Sequence, residues 1–352
     1  MRGKENPKKK RLVDIAESTL AAIEKGSYML EDVGEIYISE AVSRCVENTR
    51  LYSYDSVLAS WPSSPSASSS SLARVRLPSS ISPSRPPSTP REGKEPKIIV
   101  LQTSTLAGAR LLASTTSSHS HHHNQQHNLN PDSCFIELER EENKIGILNF
   151  ASAKHPGGGF LNGAEAQEES IARSSTLYPS LISPTAEAFY TVHRHDPQAG
   201  YYSHSMIYSP NVLLLRDDDG SWQRPVVADV LTSPAVNSGV VKQSVMGRLN
   251  PKGETAKIER VMRERASRAL YAFERHGVRH LVLGAWGCGV FQNDVKTVAC
   301  IWADLLGREG ARFRKSFDRV VFAVLGDKVF REFEAAFYDR CQGEGKYLIL
   351  EA

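Results

Sequence analysis

The sequence is poor in cysteine, and its cysteines follow no pattern that would pair them. The five are Cys45, Cys134, Cys288, Cys300 and Cys341, with no Cys-x-x-Cys spacing among them. The spacing therefore indicates neither a disulfide framework nor a zinc site. Scattered free thiols are typical of a reducing compartment, so we expect an intracellular protein, nuclear or cytoplasmic.

Long hydrophobic runs are also missing. No apolar stretch reaches the roughly 18 residues that a membrane helix needs. The first residues, MRGKENPKKK, contain no apolar segment of a secretory signal. We therefore expect a protein that is not secreted and has no membrane partner.

A strong excess of one charge sign is absent as well, because 43 Lys and Arg residues face 40 Asp and Glu residues. The net charge of +3 is concentrated in residues 1–11, where six basic residues accompany one acidic residue. This distribution argues against a basic nucleic-acid-binding domain. The cluster from Lys8 to Arg11 fits a nuclear-import signal, a weak nucleic-acid contact or a solvated tail, and the sequence does not decide among them.

Two segments lack the large apolar side chains that a folded core requires. Ser and Pro predominate in residues 60–96, and residues 114–132 carry His119, His121, His122, His123 and His127. We predict disordered insertions at both places. A histidine tract can bind a metal ion, but no cysteine or acidic partner stands at a fixed spacing, so we favour a polar linker. We predict no metal site and no cofactor.

Hydrophobic periodicity divides the remainder into two parts. Residues 1–59 contain a predicted helix over 12–25 that ends at Gly26, a short strand at 36–38 and a helix capped by Ser39, which together predict a mainly helical accessory segment. In residues 97–352, strands are predicted at 98–101, 134–138, 145–150, 226–231, 280–284 and 320–325. Helices are predicted after Ser104 and over 257–276, 295–306 and 329–338. Alternating strands and helices predict an α/β sandwich.

One motif stands out after the strand at 145–150. Three consecutive glycines, Gly157, Gly158 and Gly159, are followed seven residues later by Gln167, Glu168 and Glu169. A glycine loop brings backbone N–H groups close to an anion, and paired carboxylates beside it suggest chemistry on a phosphorylated sugar. Taken separately, the glycines also fit an ordinary loop, and the glutamates a solvated helix face.

A second glycine loop follows the strand at 280–284. Residues 287–291 are Gly287, Cys288, Gly289, Val290 and Phe291. Ligands of open α/β sheets bind beyond the carboxyl ends of the strands, and a helix N-terminus behind such a loop favours a pyrophosphate. A tight strand-to-helix turn without a ligand is the alternative.

The complete string from Gly157 to Glu169, with its flanks at 149–153 and 174–179, resembles the signature of the microbial-type poly(ADP-ribose) glycohydrolases. The resemblance covers roughly residues 8–56 and 97–345 by the motif rules. It implies a macrodomain, which is a three-layer α/β/α fold with a mixed sheet. It also implies hydrolysis of ribose–ribose bonds in poly(ADP-ribose), with ADP-ribose as the product.

The resemblance also implies roles for individual residues. Glu169 would be the general acid and then the general base, Glu168 would hold ribose hydroxyls, and Gln167 would fix the geometry of the site. Asn149 would contact ribose, and Phe291 would orient the terminal ribose. Residues 157–159 and 287–290 would bind the substrate through their backbones. Asp229 and Asn237 are weaker predictions for polar groups that line the site.

Two other functions remain open at this point. A mono-ADP-ribosyl-protein hydrolase would use the same pocket with a different leaving group. A non-catalytic ADP-ribose-binding domain would keep the pocket without the chemistry, since a displacement of about 1 Å can cost roughly 10²-fold in rate. A nucleic-acid contact through the basic N-terminus could accompany any of these functions.

Overall fold

The structure is a computed structural model that describes residues 6–62, 95–117, 143–195 and 200–342. Most of the two predicted insertions and the predicted strand at 134–138 lie outside the described residues. Within the described ranges, no helix has the length and apolar character to cross a membrane.

A seven-stranded mixed sheet forms the centre of the fold. Its strands, in chain order, are β3 (Arg50–Tyr52), β4 (Lys97–Leu101), β5 (Ile145–Phe150), β6 (Met206–Arg216), β7 (Trp222–Ser233), β8 (His280–Leu283) and β9 (Arg319–Ala323). The spatial order is β3-β6-β7-β5-β8-β9-β4. The five strands from β7 to β4 in that order are parallel, whereas β6 is antiparallel to both β7 and β3. A separate hairpin consists of β1 (Ser27–Leu30) and β2 (Gly34–Tyr37).

Helices cover both faces of this sheet. The α-helices of the described residues are α1 (Pro7–Lys25), α2 (Ser39–Glu47), α3 (Thr105–Ser117), α4 (Gln167–Ser174), α5 (Leu177–Leu181), α6 (Pro184–Arg194), α7 (Ser238–Gln243), α8 (Val245–Leu249), α9 (Pro251–Arg275), α10 (Val295–Trp302) and α11 (Asp327–Gln342).

The alternation of side chains along each strand produces two separate cores. Leu148 and Leu281 point to one face, where they pack with α9, α10 and α11. Their neighbours Ile147 and Val282 point to the other face and pack with α3, α5 and α6. Successive strand residues face opposite sides of a sheet, so a fully apolar strand requires a helical layer on each side. The predicted three-layer α/β/α architecture with a mixed sheet is confirmed.

The N-terminal segment is helical, as predicted, but α1 begins earlier than the hydrophobic pattern indicated. The Asn6 side chain accepts a hydrogen bond from the Lys8 N–H, and Pro7 occupies the first helical position, a pairing that starts helices well. Gly26 ends the helix with φ +82°, in the left-handed region that glycine tolerates. The segment also contributes β3, which the sequence did not predict, to the edge of the central sheet.

Two further elements differ from the prediction for physical reasons. β6 was not predicted because Pro210 interrupts its pattern, and proline cannot donate a ladder hydrogen bond. The structure accommodates it with a shift in register between Ser209 and Val212, and with Asn211 at φ +55°. The helix predicted over 295–306 is divided, because α10 ends at Trp302 and one π-helical turn follows over Ala303–Gly307.

We predict that Gly146→Ala destabilises the protein, whereas Gly108→Ala does not. A Cβ atom at Gly146 would lie 2.7 Å from the Phe273 ring and 2.8 Å from Val278, both in the core. At Gly108 the closest approach would be 3.4 Å, an ordinary contact, and alanine favours helix. Overpacking should lower the free energy of unfolding by about 1–3 kcal/mol for Gly146→Ala only. Urea denaturation of both variants is the measurement, and equal stabilities would contradict the packing described.

Candidate active site

Both predicted glycine loops lie at the same edge of the sheet. β5 pairs in parallel with β7, Phe150 opposite Ser233, and also with β8. Residues 157–159 follow the carboxyl end of β5, and residues 287–291 follow the carboxyl end of β8. Because these strands are neighbours and parallel, the two loops extend from the same side, where open α/β sheets bind ligands.

Gln167 joins the start of α4 to the end of β5. Its Oε1 atom accepts a hydrogen bond from the Phe150 N–H at 2.8 Å, and its Nε2 atom donates to the Leu148 carbonyl at 2.8 Å. The same Nε2 donates to Thr105 Oγ1 at 3.2 Å, at the start of α3. The side-chain amide therefore makes the two backbone hydrogen bonds that a neighbouring strand would otherwise make to β5. These bonds fix the positions of the two glutamates that follow.

Glu168 is buried, with only 2% of its surface exposed. One carboxyl oxygen accepts the Ser152 N–H at 2.6 Å, and the other accepts Asn149 Nδ2 at 3.3 Å. The pKa of Glu168 is raised to about 8, because burial and, to a smaller extent, the nearby Glu169 charge raise it more than the hydrogen bonds from the Ser152 N–H and from Asn149 lower it. At neutral pH this carboxyl therefore keeps its proton for most of the time.

Asn149 contacts Glu168 from the interior of the protein. It is fully buried and donates from Nδ2 both to Glu168 and to Thr232 Oγ1, the latter at 3.1 Å. Thr232 lies on β7 beside Asn149 in the strand register. Thr232 was not predicted from the sequence, because only the pairing of β5 with β7 brings it to the site.

Glu169 faces the glycine loop. Its Oε1 atom accepts the Gly159 N–H at 2.9 Å, and the residue is partly exposed, unlike Glu168. Gly158 has φ +61°, and a Cβ atom there would come within 2.2 Å of Glu169 Oε1. Only glycine combines that backbone conformation with the room that the carboxyl needs. The loop and the carboxyl pair are therefore one packed unit.

The second loop is held by Asn293. This buried side chain donates from Nδ2 to the Gly287 carbonyl at 3.1 Å and to the Val236 carbonyl at 2.8 Å, and its Oδ1 accepts from Ser238 Oγ at 2.6 Å. Gly287 has φ +75°, and a Cβ atom there would lie 2.4 Å from Ala235. Asn293 was also not predicted, since no local motif includes it.

The tip of this loop is open to solvent. Val290 is 78% exposed, and Gly289 has no atom within 4 Å of where a Cβ would stand. Among the described residues, the N–H groups of Gly289 and Val290 donate to no protein acceptor. Cys288 is partly buried, and burial raises the pKa of its thiol to about 12, so the thiol stays neutral.

Phe291 packs beside Tyr202, with ring centroids 6.0 Å apart. The Phe291 carbonyl accepts the Gly239 N–H at 3.1 Å, which connects the second loop to α7. Tyr202 has φ +55°, and Arg265 Nη2 donates to its carbonyl at 3.2 Å and to the Tyr201 carbonyl at 2.8 Å. Tyr202 was not predicted, because its strained backbone and its neighbours become visible only in the fold.

The structure separates the two weaker predictions. Asn237 lies at the site edge between β7 and α7, where its side chain caps α7 by accepting the Val240 N–H. Asp229 pairs with Gly146 at the start of β5, four residues before the carboxyl edge. It is buried there against Lys144, Tyr208 and the Asn211 N–H. The expectation that Asp229 lines the site is therefore wrong.

The basic cluster of the N-terminus is part of α1 and lies against the first glycine loop. Lys8 pairs with Glu165 at 2.5 Å, and Arg11 donates to the Asp219 carbonyl at 2.7 Å. A Cβ atom at Gly163 would come within 2.6 Å of the Lys9 carbonyl. Deeper along the helix, Ala16 packs in one cluster with Phe160 and Ala172. The cluster is therefore part of a folded helix rather than a free tail, although all four side chains from Lys8 to Arg11 are exposed to solvent.

Within the described ranges, no three His, Cys, Asp or Glu side chains come together as a possible metal-binding group. The histidine tract at 119–127 lies outside those ranges.

Comparisons with known proteins agree with the fold and the loops. The profile described as "Microbial-type PARG, catalytic domain", where PARG is poly(ADP-ribose) glycohydrolase, matches residues 16–217. No curated protein sequence gave a match.

Solved structures extend the similarity over most of the chain. The poly(ADP-ribose) glycohydrolase of Thermomonospora curvata is 35% identical, with 94% of this chain and 99% of that chain covered and a TM-score of 0.70. The same enzyme bound to the inhibitor ADP-HPD has a TM-score of 0.68, at 35% identity over 94% and 98% of the two chains. The enzyme of Deinococcus radiodurans in complex with ADP-ribose is 30% identical over 86% of this chain and 97% of that chain, with a TM-score of 0.62.

The fold is thus the macrodomain type found in glycosidases that act on ADP-ribose polymers. Since the profile covers more than half of the 352 residues, the chain belongs to the family of microbial-type poly(ADP-ribose) glycohydrolase catalytic domains.

We predict that the protonation of Glu168 makes folding stability fall as pH rises. The folded protein keeps this proton up to about pH 8, whereas an ordinary carboxyl loses it near 4.5. The stability contributed by this raised pKa is fully present below the unfolded value and is lost as pH rises through the folded value. Glu168→Gln should therefore show a flatter decline in free energy of unfolding between about pH 5 and pH 9.

Glu165→Gln is the matched control, because Glu165 is exposed and pairs at the surface with Lys8. It should keep the wild-type pH dependence. The measurement is denaturant unfolding of the three proteins at several pH values. Identical slopes for wild type and Glu168→Gln would show that Glu168 titrates normally.

Proposed function

We propose that this protein is a poly(ADP-ribose) glycohydrolase that cleaves ribose–ribose O-glycosidic bonds and releases ADP-ribose. One observation carries the proposal. A partly exposed carboxyl, Glu169, stands beside a buried and hydrogen-bonded carboxyl, Glu168, between two glycine loops at the carboxyl edge of the sheet. That arrangement provides an acid at a sugar and amides for a diphosphate in one place.

Glu169 is the group that we propose to move the proton. Cleavage of a glycosidic bond needs an acid at the leaving oxygen, because an alkoxide is a poor leaving group, and then a base for the incoming water. Glu169 is partly exposed, and the Gly159 N–H occupies Oε1 but not Oε2. The N–H also stabilises the carboxylate that remains after proton donation.

Glu168 is proposed to bind rather than to react. Both of its oxygens already accept hydrogen bonds from Ser152 and Asn149, and the residue is almost fully buried. Such a carboxyl is rigid and cannot follow a departing group, but it can orient ribose hydroxyls beside Glu169. Because Asn149 is itself buried, we propose that it acts on the substrate by positioning Glu168.

The second loop is proposed to hold the diphosphate. The exposed N–H groups of Gly289 and Val290 suit phosphate oxygens, and α10 begins shortly after them at Val295. Phe291, supported by Tyr202, would then limit where the terminal ribose can lie. The related structures solved with ADP-ribose and with ADP-HPD support a ligand of this kind for the family fold.

The setting that we propose is intracellular, in the nucleus or the cytoplasm. Cys45, Cys288, Cys300 and Cys341 are all free thiols in the described structure, which suits a reducing compartment. A nucleic-acid contact through the N-terminal cluster receives less support, because Lys8 and Arg11 already contact the protein's own surface.

We predict that Glu169→Gln loses at least about 10²-fold in ADP-ribose release, the scale of a lost general acid. Glutamine keeps the shape and can still accept the Gly159 N–H, but it cannot donate the proton to the leaving oxygen. Glu165→Gln, four residues earlier and exposed, should keep wild-type activity. The measurement is initial release of ADP-ribose from poly(ADP-ribose), with ADP-ribose binding measured in parallel.

Two results would redirect the proposal. A wild-type protein that binds ADP-ribose without releasing it from the polymer would be a mono-ADP-ribosyl hydrolase or a reader, and a mono-ADP-ribosylated protein substrate distinguishes these. A wild type that neither releases nor binds ADP-ribose would remove the assignment of this site.

We also predict that Gly158→Ala reduces kcat by at least about 10²-fold, since small displacements of a catalytic group have effects of this size. The added methyl group would occupy the position of Glu169 Oε1 and would strain a backbone at φ +61°. Gly108→Ala, in α3, serves as the glycine control, because an added Cβ there would make only ordinary contacts with Val282, Val321 and Ala323. Wild-type kcat in Gly158→Ala would contradict the packing of the loop against Glu169.

A further inference from the structure

A hydrophobic and basic surface lies on α7, α8 and the start of α9, and α7 begins beside the second glycine loop. It consists of Lys242, Val245, Met246, Arg248, Leu249 and Lys252, which we call the α7–α8 surface. Val245, Met246 and Leu249 are 73%, 57% and 75% exposed. Neighbouring large apolar side chains with this much exposure are uncommon on a soluble domain and mark interaction sites.

The backbone connects this surface to the site. The Gly239 N–H, in the first turn of α7, donates to the Phe291 carbonyl at 3.1 Å. α8 then folds back on α7 at Gly247, where a Cβ atom would lie 2.3 Å from the Val241 carbonyl. The exposed side chains of α8 are therefore held on a rigid support that begins at the loop.

The charge of the surface is positive and unbalanced. Lys242, Arg248 and Lys252 are all exposed, and none of them has an ion-pair partner among the described residues. Residues 234–253 include no acidic residue, and Glu254, which follows, is buried and accepts from Tyr201 OH at 2.5 Å. A partner with negative charge and apolar, polarisable groups matches these features.

We propose that the α7–α8 surface binds the part of a poly(ADP-ribose) chain beyond the two units joined by the bond that is cleaved. This inference rests on the proposed function and adds where the rest of a long substrate binds. Lys242, Arg248 and Lys252 face the diphosphates of the chain. Val245, Leu249 and the thioether of Met246 contact its adenine rings, for which sulfur–aromatic contacts are favourable. Continuity with the Phe291 loop and charge complementarity favour this polymer over other partners.

The test compares a long polymer with a substrate of two ADP-ribose units. A triple variant, Lys242→Glu, Arg248→Glu and Lys252→Glu, should lose about tenfold in kcat/KM on the long polymer at low salt, because three cations no longer neutralise phosphates. On the two-unit substrate it should stay close to wild type. A second variant, Val245→Ser with Leu249→Ser, should also weaken activity on the long polymer alone.

The control variant is Lys97→Glu, Arg224→Glu and Lys315→Glu. These exposed cations lie towards the amino ends of β4, β7 and β9, away from the loops, and they give the same change in net charge. The control should keep wild-type kcat/KM on both substrates. An equal loss on both substrates in the first triple variant, or no loss on the long polymer, would overturn the proposal.

Binding measurements keep this proposal separate from the proposed function. Labelled long polymer is titrated with Glu169→Gln protein, with and without the first triple variant, so that no hydrolysis is needed. Weaker binding of the polymer but unchanged binding of ADP-ribose supports the surface even if the wild type proves inactive. Equal competition by a single-stranded oligonucleotide of similar charge would overturn it in favour of nucleic acid. A dimer in solution that the triple variant dissociates would overturn it in favour of a second copy.

Discussion

The hydrogen bonds of the Gln167 side chain to the last backbone groups of β5 are the constraint on which the site depends. Helix α4 starts at Gln167, so its first residues would otherwise be free to fray. By accepting the Phe150 N–H and donating to the Leu148 carbonyl, the amide makes the helix start continuous with the sheet. Glu168 and Glu169 follow directly, so their positions are fixed relative to β5 although they lie at a loop-to-helix junction.

The two adjacent carboxyls then differ because of what surrounds each one. Glu168 points into the protein, where burial raises its pKa and the Ser152 N–H and Asn149 amide compensate for lost water. Glu169 points to the glycine loop and keeps contact with solvent. Sequence neighbours at a helix start point about 100° apart, which is sufficient to put one inside and one at the surface. Two identical side chains therefore have different surroundings, one buried and one partly exposed.

Local patterns in the sequence were enough to predict most of the fold. The apolar strands at β4, β5, β8 and β9 and the long helix α9 were found because both faces of a central strand, or one face of a helix, must be apolar. β3 has only three residues, and β6 contains Pro210, so neither shows the pattern of a strand. Their place in the sheet is decided by pairing with residues distant in the chain, for which single-sequence periodicity carries no information.

The site was predictable to the same extent. The two glycine loops and the residues Gln167 to Glu169 are contiguous in the sequence. The glycine loops predict anion binding and the adjacent carboxylates predict acid–base chemistry. Thr232 and Asn293 support those segments from other elements, through hydrogen bonds to Asn149 and to the Gly287 carbonyl. The prediction for Asp229 was wrong for the same reason, because the position of this residue along β7 relative to the site depends on the register with β5.

The reactive groups of the candidate site therefore come from short local strings, whereas their positions depend on the sheet register and on α1, whose Ala16 packs in one cluster with Phe160 and Ala172. A substitution that destabilises α1 should therefore shift the glycine loop and Glu169, because Phe160 and Ala172 contact both Ala16 of the helix and Gly157 of the loop.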